Sequence, residues 1–136
     1  NECGYTLIMS TEIIGLSHLE REIIANVVRY NIRDFDYDMM QLETEAGQDL
    51  AGVSDRTAIT ILIAKLTAIL RLANSMDKTH KSKLIDCRMA VREGQLVITT
   101  GYKGDLALES ASFEQKAAFF EEIFGIRPVL KQKRRV

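Results

Sequence analysis

Ile85-Asp86-Cys87-Arg88-Met89-Ala90-Val91-Arg92, followed by Glu93-Gly94 and then Gln95-Leu96-Val97-Ile98, is the stretch that sets the fold class. Ile85, Cys87, Met89 and Val91 alternate with Asp86, Arg88 and Arg92, and a period of two is that of a strand with one face on a core. Glu93-Gly94 is a turn signal. Leu96 and Ile98 resume the alternation, so the segment predicts a hairpin. On this reading Ile85, Cys87, Met89 and Val91 are buried. Arg88 and Arg92 lie on the solvated face, where we assign them no binding role, and the same holds for Arg21.

Upstream of Lys83 the period is helical. After Ser54 or Asp55 as cap, Ile59, Leu62, Ile63, Leu66, Ile69, Leu70 and Ala73 repeat at three and four, and a helix with such a stripe should be central to its domain. Leu66 and Ile69 are expected to be among the most buried residues. Lys65 and Arg71 interrupt the helix, and no stretch is expected to be long and apolar enough to cross a bilayer. Closer to the start, Gly4 to Ile14 reads as a helix stopped by Gly15. Ser17-His18-Leu19-Glu20 is a capping box that opens a second helix. Its buried stripe is expected at Leu19, Ile23, Val27 and Tyr30, with Glu20, Arg21, Glu22 and Arg29 off it. Between Asp34 and Asp55 every charged residue is acidic. That stretch reads as a loop holding at most a short helix, and Asp34, Asp36 and Asp38 lack the glycine and glutamate placement of a calcium loop.

Downstream of the hairpin, Leu106 and Leu108 suggest a third strand. Ser112 to Gln115 reads as a capping box opening a helix with Phe113, Ala117, Phe120 and Phe124 inside, and Gly125 stops it. Pro128 admits only an edge strand through Val129 and Leu130. Helices followed by a hairpin, a helix and an edge strand give an α+β fold with a small antiparallel sheet. The expected border separates a helical region, 1–82, from a small α+β module, 83–136. Composition agrees with a folded chain: of 136 residues, 46% are hydrophobic and 27% charged, with a formal net charge of -1 that gives no overall drive toward nucleic acid. Cys3 and Cys87 are too few for a disulfide scaffold, which points to a cytoplasmic protein. Apolar periodicity starts almost at Asn1, as in a chain cut from a longer one.

Two blocks carry a resemblance. Tyr5 to Leu16 running into Ser17-His18-Leu19-Glu20-Arg21-Glu22-Ile23-Ile24-Ala25-Asn26-Val27-Val28-Arg29-Tyr30, and Ala68-Ile69-Leu70-Arg71-Leu72-Ala73-Asn74-Ser75-Met76-Asp77-Lys78-Thr79-His80, resemble the C-terminal region of the Ppx/GppA family of exopolyphosphatases and guanosine pentaphosphate phosphatases. The resemblance implies a helical HD-like bundle followed by a small terminal module. It implies a parent enzyme that removes phosphate from polyphosphate or guanosine pentaphosphate, with magnesium or manganese, in N-terminal actin-like domains. It also implies a homodimer, contact with those N-terminal domains, and no membrane or specific nucleic-acid partner. Asn74 stands where an HD-type metal aspartate is expected, and Asn31 where relatives often carry histidine.

The residues present do not make a phosphoryl-transfer site. There is no P-loop, His18 sits in the first turn of a capped helix, His80 lies in a basic run, and Cys87 belongs to an apolar strand face. We therefore expect no catalytic residue, no metal ligand and no cofactor in this chain. Two basic groups remain as polyanion-binding candidates: Lys78, His80, Lys81 and Lys83 after the long helix, and Lys131, Lys133, Arg134 and Arg135 in the last residues. For the binding track to be shared, folding must bring the two groups to one surface. The competing reading is a regulatory or interaction domain of a guanosine pentaphosphate phosphatase-like protein, with the helices as scaffold only.

Overall fold

The computed structural model describes residues 2–31, 35 and 53–133, and of 53–56 the backbone alone. The acidic stretch and its aspartates, the caps expected at Ser54 or Asp55, and Arg134 and Arg135 fall outside what is described. In chain order the elements are α1 (Glu2–Ser10), α2 (His18–Tyr30), α3 (Val53–Met76), β1 (Cys87–Arg92), β2 (Gln95–Thr100), α4 (Ala107–Phe124) and β3 (Arg127–Gln132). The fold is α+β.

By its internal packing the chain divides into Asn1–Thr67 and Ala68–Val136, a border inside α3. The sequence places it at residue 83, where the period changes. The two borders differ because Ala68, Leu72 and Met76, all on α3, pack with the core of the sheet.

In the first unit α1 ends at Ser10, four residues before the expected Ile14. The Ser10 and Thr11 hydroxyls both donate to Leu7 O, at 3.1 and 2.7 Å, and such side-chain competition for a helix carbonyl favours termination. Gly15 does adopt a left-handed conformation, φ 91°, in the turn that follows. The capping box is present: Glu20 N–H donates to Ser17 Oγ and Ser17 N–H to Glu20 Oε1, both at 3.1 Å. The Ser17 backbone N–H, then its hydroxyl, hold the Glu20 carboxyl below the usual carboxylate range.

The buried face of α2 is not the one expected. Glu22, Ala25 and Asn26 are fully buried with Tyr30, whereas Leu19, Ile23 and Val27 are half-buried. Polar character misled the reading, because a buried amide can keep a local partner: Asn26 Nδ2 donates to Glu22 O at 3.0 Å. α1 packs on α2, and the approach at Gly4 is close enough that a Cβ there would meet Val28 Cγ1 at 2.6 Å. Arg29 closes that pair by lying 3.5 Å over the Tyr5 ring while its Nε meets Glu2 Oε1 at 2.9 Å.

α3 also presents a different face. Ile63, Ala64, Thr67, Ala68 and Leu72 are buried, while Leu66 is 38% and Ile69 49% exposed. A helix apolar around most of its circumference does not identify its inner face by hydrophobicity, and the small residues Ala64, Thr67 and Ala68 mark where neighbours approach. Thr57–Met76 reaches a mean hydropathy of 1.5, long and apolar enough by length and composition to cross a membrane, which corrects the expectation drawn from Lys65 and Arg71. The core helix of a soluble protein passes the same test.

The second unit is built on a three-stranded sheet in the order β1-β2-β3. β1 and β2 form the expected antiparallel hairpin, with Glu93 and Gly94 both at positive φ, 51° and 76°, the signature of a type I′ turn. β3 runs parallel to β2, so the sheet is mixed rather than antiparallel. The reason is α4, which crosses from the end of β2 back to the start of β3 and returns the chain in the same direction.

The third strand expected at Leu106 and Leu108 is absent: Leu106 caps α4 and Leu108 lies in its first turn, 63% exposed. Residues two apart on a helix face apart, which explains why one leucine is buried and the other is not. Asp105, not Ser112, serves the helix start, its Oδ1 accepting from Ala107 N–H at 2.9 Å. Phe113, Ala117 and Phe120 are buried as expected, Phe124 packs on the same core, and Gly125 ends the helix at φ 73°.

Candidate functional site: a cationic sheet face

Alternate residues of a strand face opposite sides of the sheet. Leu96, Ile98 and Leu130 pack on the core with Phe113, Phe120 and the α3 residues Ala68 and Leu72. The residues between them therefore look the other way, and the pairing register arranges them in rows. Arg88 on β1 lies beside Thr99 on β2, and Thr99 beside Lys131 on β3. Ala90 and Val97 form the next row, and Arg92 and Gln95 the one after. Lys133 continues past β3, its N–H donating to Thr100 O at 2.8 Å.

The open side of the sheet is concave. Asp86, Arg88, Arg92, Thr99, Gly101 and Lys133 are among the residues that line one hollow of about 540 Å³. Two edge strands thus bring three cations and one carboxylate to a single concavity, and Lys131 joins the same face through its register with Thr99. With β2 between them, the rows on β1 and β3 stand about 10 Å apart, twice the strand spacing. The strip of β2 between them is neutral and small, formed by Val97 and Thr99. Guanidinium groups hold phosphate-type oxygens by paired donors and the ammonium adds a point charge, so the hollow suits an anion that carries several such groups in a line.

The expected candidates divide. Lys131 and Lys133 are exposed on this face. Lys83 is not available to a ligand: its side chain is only 15% exposed and its Nζ lies 3.1 Å from Glu109 Oε1, on a carboxylate that is 1% exposed. Lys83 also donates to Asp105 O at 2.9 Å, and Thr79 Oγ1 donates to the same Glu109 oxygen at 2.8 Å. Burial pushes the Glu109 carboxyl up, but the bonds from Thr79, its own backbone N–H and Lys83, with the Lys83 charge, outweigh it and leave the group below the usual carboxylate range. Lys83 is a structural cation, and we remove it from the candidate set.

Lys78, His80 and Lys81 are exposed in the turns after α3, where His80 takes φ 56°. None of the three lines the hollow. His18 Nδ1 is 2.9 Å from Arg21 Nη2, and Arg21 Nη1 donates to Thr11 O at 3.0 Å, so both side chains serve the α1–α2 connection. Cys3 is exposed, and Cys87 is half-buried against the core. Among the described residues no three His, Cys, Asp or Glu side chains group as metal ligands.

Sequence reasoning missed Arg88 and Arg92. The signal was present in the alternation that set them opposite Cys87 and Met89. What was lacking was the register that carries β3, with its lysines, to the same side. No known family model matches this chain, and no curated protein matches it.

Proposed function

We propose that this chain is a non-catalytic accessory region that holds a linear, phosphate-rich polyanion on the open face of its sheet, on behalf of an exopolyphosphatase-type hydrolase. Magnesium or manganese chemistry belongs, on this reading, to actin-like domains, and the resemblance of the two helical blocks to the Ppx/GppA family is the reason for choosing that enzyme class. One observation carries the binding role: Arg88, Arg92 and Lys133, from opposite edges of one sheet, line the same hollow. The ligand class follows from what lies between them. Among the described residues no aromatic side chain lines the hollow, so the base stacking by which proteins hold single-stranded nucleic acid has no platform there. Two cationic rows flanking a neutral strip fit one anionic chain laid between them.

Fluorescence anisotropy with end-labelled long-chain polyphosphate tests this reading. The double variant Arg88→Ala/Lys133→Ala should weaken binding about tenfold, roughly 1.4 kcal/mol, and flatten its salt dependence. Lys78→Ala/Lys81→Ala, which removes the same number of charges outside the hollow, should change it less than about twofold. Equal losses in the two variants would reduce the interaction to general attraction and overturn the assignment.

A further inference from the structure

We infer that β1 takes up a further strand from a different protein: an extended segment reading acidic, apolar, small polar, apolar, acidic, bound antiparallel along its outer edge. The inference does not rest on the polyanion reading, because it concerns the backbone edge and inner side of β1, neither of which a polyphosphate chain engages. Among the described residues β1 pairs only with β2. In a two-residue hairpin the pair next to the turn, Arg92 and Gln95, exchanges both backbone bonds. Arg88, Ala90 and Arg92 therefore direct their N–H and C=O groups toward β2, and Cys87, Met89 and Val91 direct theirs outward. On the inner side this edge is apolar and uncovered: Met89 is 60% and Val91 65% exposed. The strand holds no proline and pairs one to one with β2, without a bulge. Such an edge favours addition of a strand, whose main chain supplies affinity and whose alternate side chains supply specificity.

The occupant follows from charge complementarity. Arg88 and Arg92 stand exposed on the open side, and among the described residues neither forms an ion pair. A strand laid beside β1 sets two of its own side chains, four residues apart, directly against them, and carboxylates at those two places form opposite-charge cross-strand pairs. The side chains opposite Met89 and Val91 fall on the inner side, where apolar residues cover what is exposed. A small residue fits opposite Ala90. Asp86 and Glu93 lie exposed just beyond the two ends of β1, so the segment should be flanked by basic rather than acidic residues. A second β1 does not have this chemistry, since Cys87–Arg92 holds two arginines and no carboxylate.

Isothermal titration calorimetry of the 136-residue chain tests this with an end-blocked peptide whose core, Glu-Val-Thr-Val-Glu, lies between lysines. It should bind, and the reordered core Val-Val-Thr-Glu-Glu should bind at least about tenfold more weakly. In the antiparallel register the two valines meet Met89 and Val91 through paired backbone bonds. N-methylating the valine amides should therefore abolish binding, whereas N-methylating the threonine amide, which points away, should cost less than about threefold. Arg88→Glu/Arg92→Glu should refuse this peptide and accept the core Lys-Val-Thr-Val-Lys between glutamates, an exchange that general loss of folding does not produce. Val91→Asn should weaken peptide binding about fivefold and leave polyphosphate binding within about twofold, and Lys133→Ala should do the reverse, so the two readings fail separately. A chain that does not bind the alternating peptide overturns the proposal. So does binding that is indifferent to residue order or to which amide carries the methyl group.

Discussion

The two edges of the sheet are built in opposite ways. β3 carries Pro128, which cannot extend a ladder, and the exposed lysines Lys131 and Lys133, while α4 packs against it from the core side. β1 has no proline, its exposed cations are Arg88 and Arg92 on the open side, and Met89 and Val91 stand exposed on its inner side. Apolar side chains on the inner side thus belong to a covered strand in one place, at Pro128 and Leu130, and to an uncovered strand in the other, at Met89 and Val91. What differs is the helix: α4 and the end of α3 reach β2 and β3, with Cys87 the β1 residue packed against their core. An alternating sequence therefore fixes which side chains share a face, while burial depends on what is laid over that face.

Substitutions on the covered side should have the largest effect. Phe113→Ala removes a ring that is 1% exposed beneath the sheet and should cost about 3 to 5 kcal/mol in chemical denaturation, through lost transfer energy and a cavity. A loss below about 1 kcal/mol would mean the core beneath β2 and β3 is not where it is described.

The Lys83 and Glu109 pair gives the next effect, read through pH. A carboxyl held below its unfolded value contributes stability that is present above the unfolded pKa and is lost as pH falls through the folded pKa. Lys83→Met removes the hydrogen bond and the charge by which Lys83 helps to hold Glu109 down, so its folded pKa should rise toward or past the unfolded value and the acid-side loss of stability that Glu109 contributes should shrink or vanish. Superimposable acid limbs for the two proteins would show that Lys83 is a solvated cation after all and return it to the binding candidates.

Gly125→Ala should cost about 1 kcal/mol, because φ 73° at the turn from α4 into β3 is strained for any side chain. Ile85→Ala, at a residue 86% exposed, should change stability by less than about 0.5 kcal/mol. The contrast between Phe113 and Ile85 sharpens the comparison: both are large apolar residues of the same unit, and cover alone separates them.

How much of this was legible in the sequence depended on whether the signal was local. The capping box at Ser17, the Glu93-Gly94 turn and the Gly125 stop are each settled within a few residues, and each is found as expected. The faces of α2 and α3 were not legible, because Glu22 and Asn26 are buried polar residues and α3 is apolar nearly all round. The direction of β3 was hidden as well, since Val129 and Leu130 alternate identically in a parallel or an antiparallel pair. The candidate site shared that fate. Lys131 and Lys133 were named from charge alone, whereas Arg88 and Arg92 needed the register through Thr99, and Lys83 needed the long-range approach of Glu109.

The most direct test of the central claim is a residue-resolved titration of the isotopically labelled chain with long-chain polyphosphate, followed by amide chemical shifts at moderate salt. The open cationic face predicts that Arg88, Arg92, Thr99, Gly101 and Lys133 shift together with one affinity, while Lys78, His80, Lys81 and Lys83 move little. Shifts concentrated at residues 78–83, with the rows of β1, β2 and β3 unmoved, would contradict it.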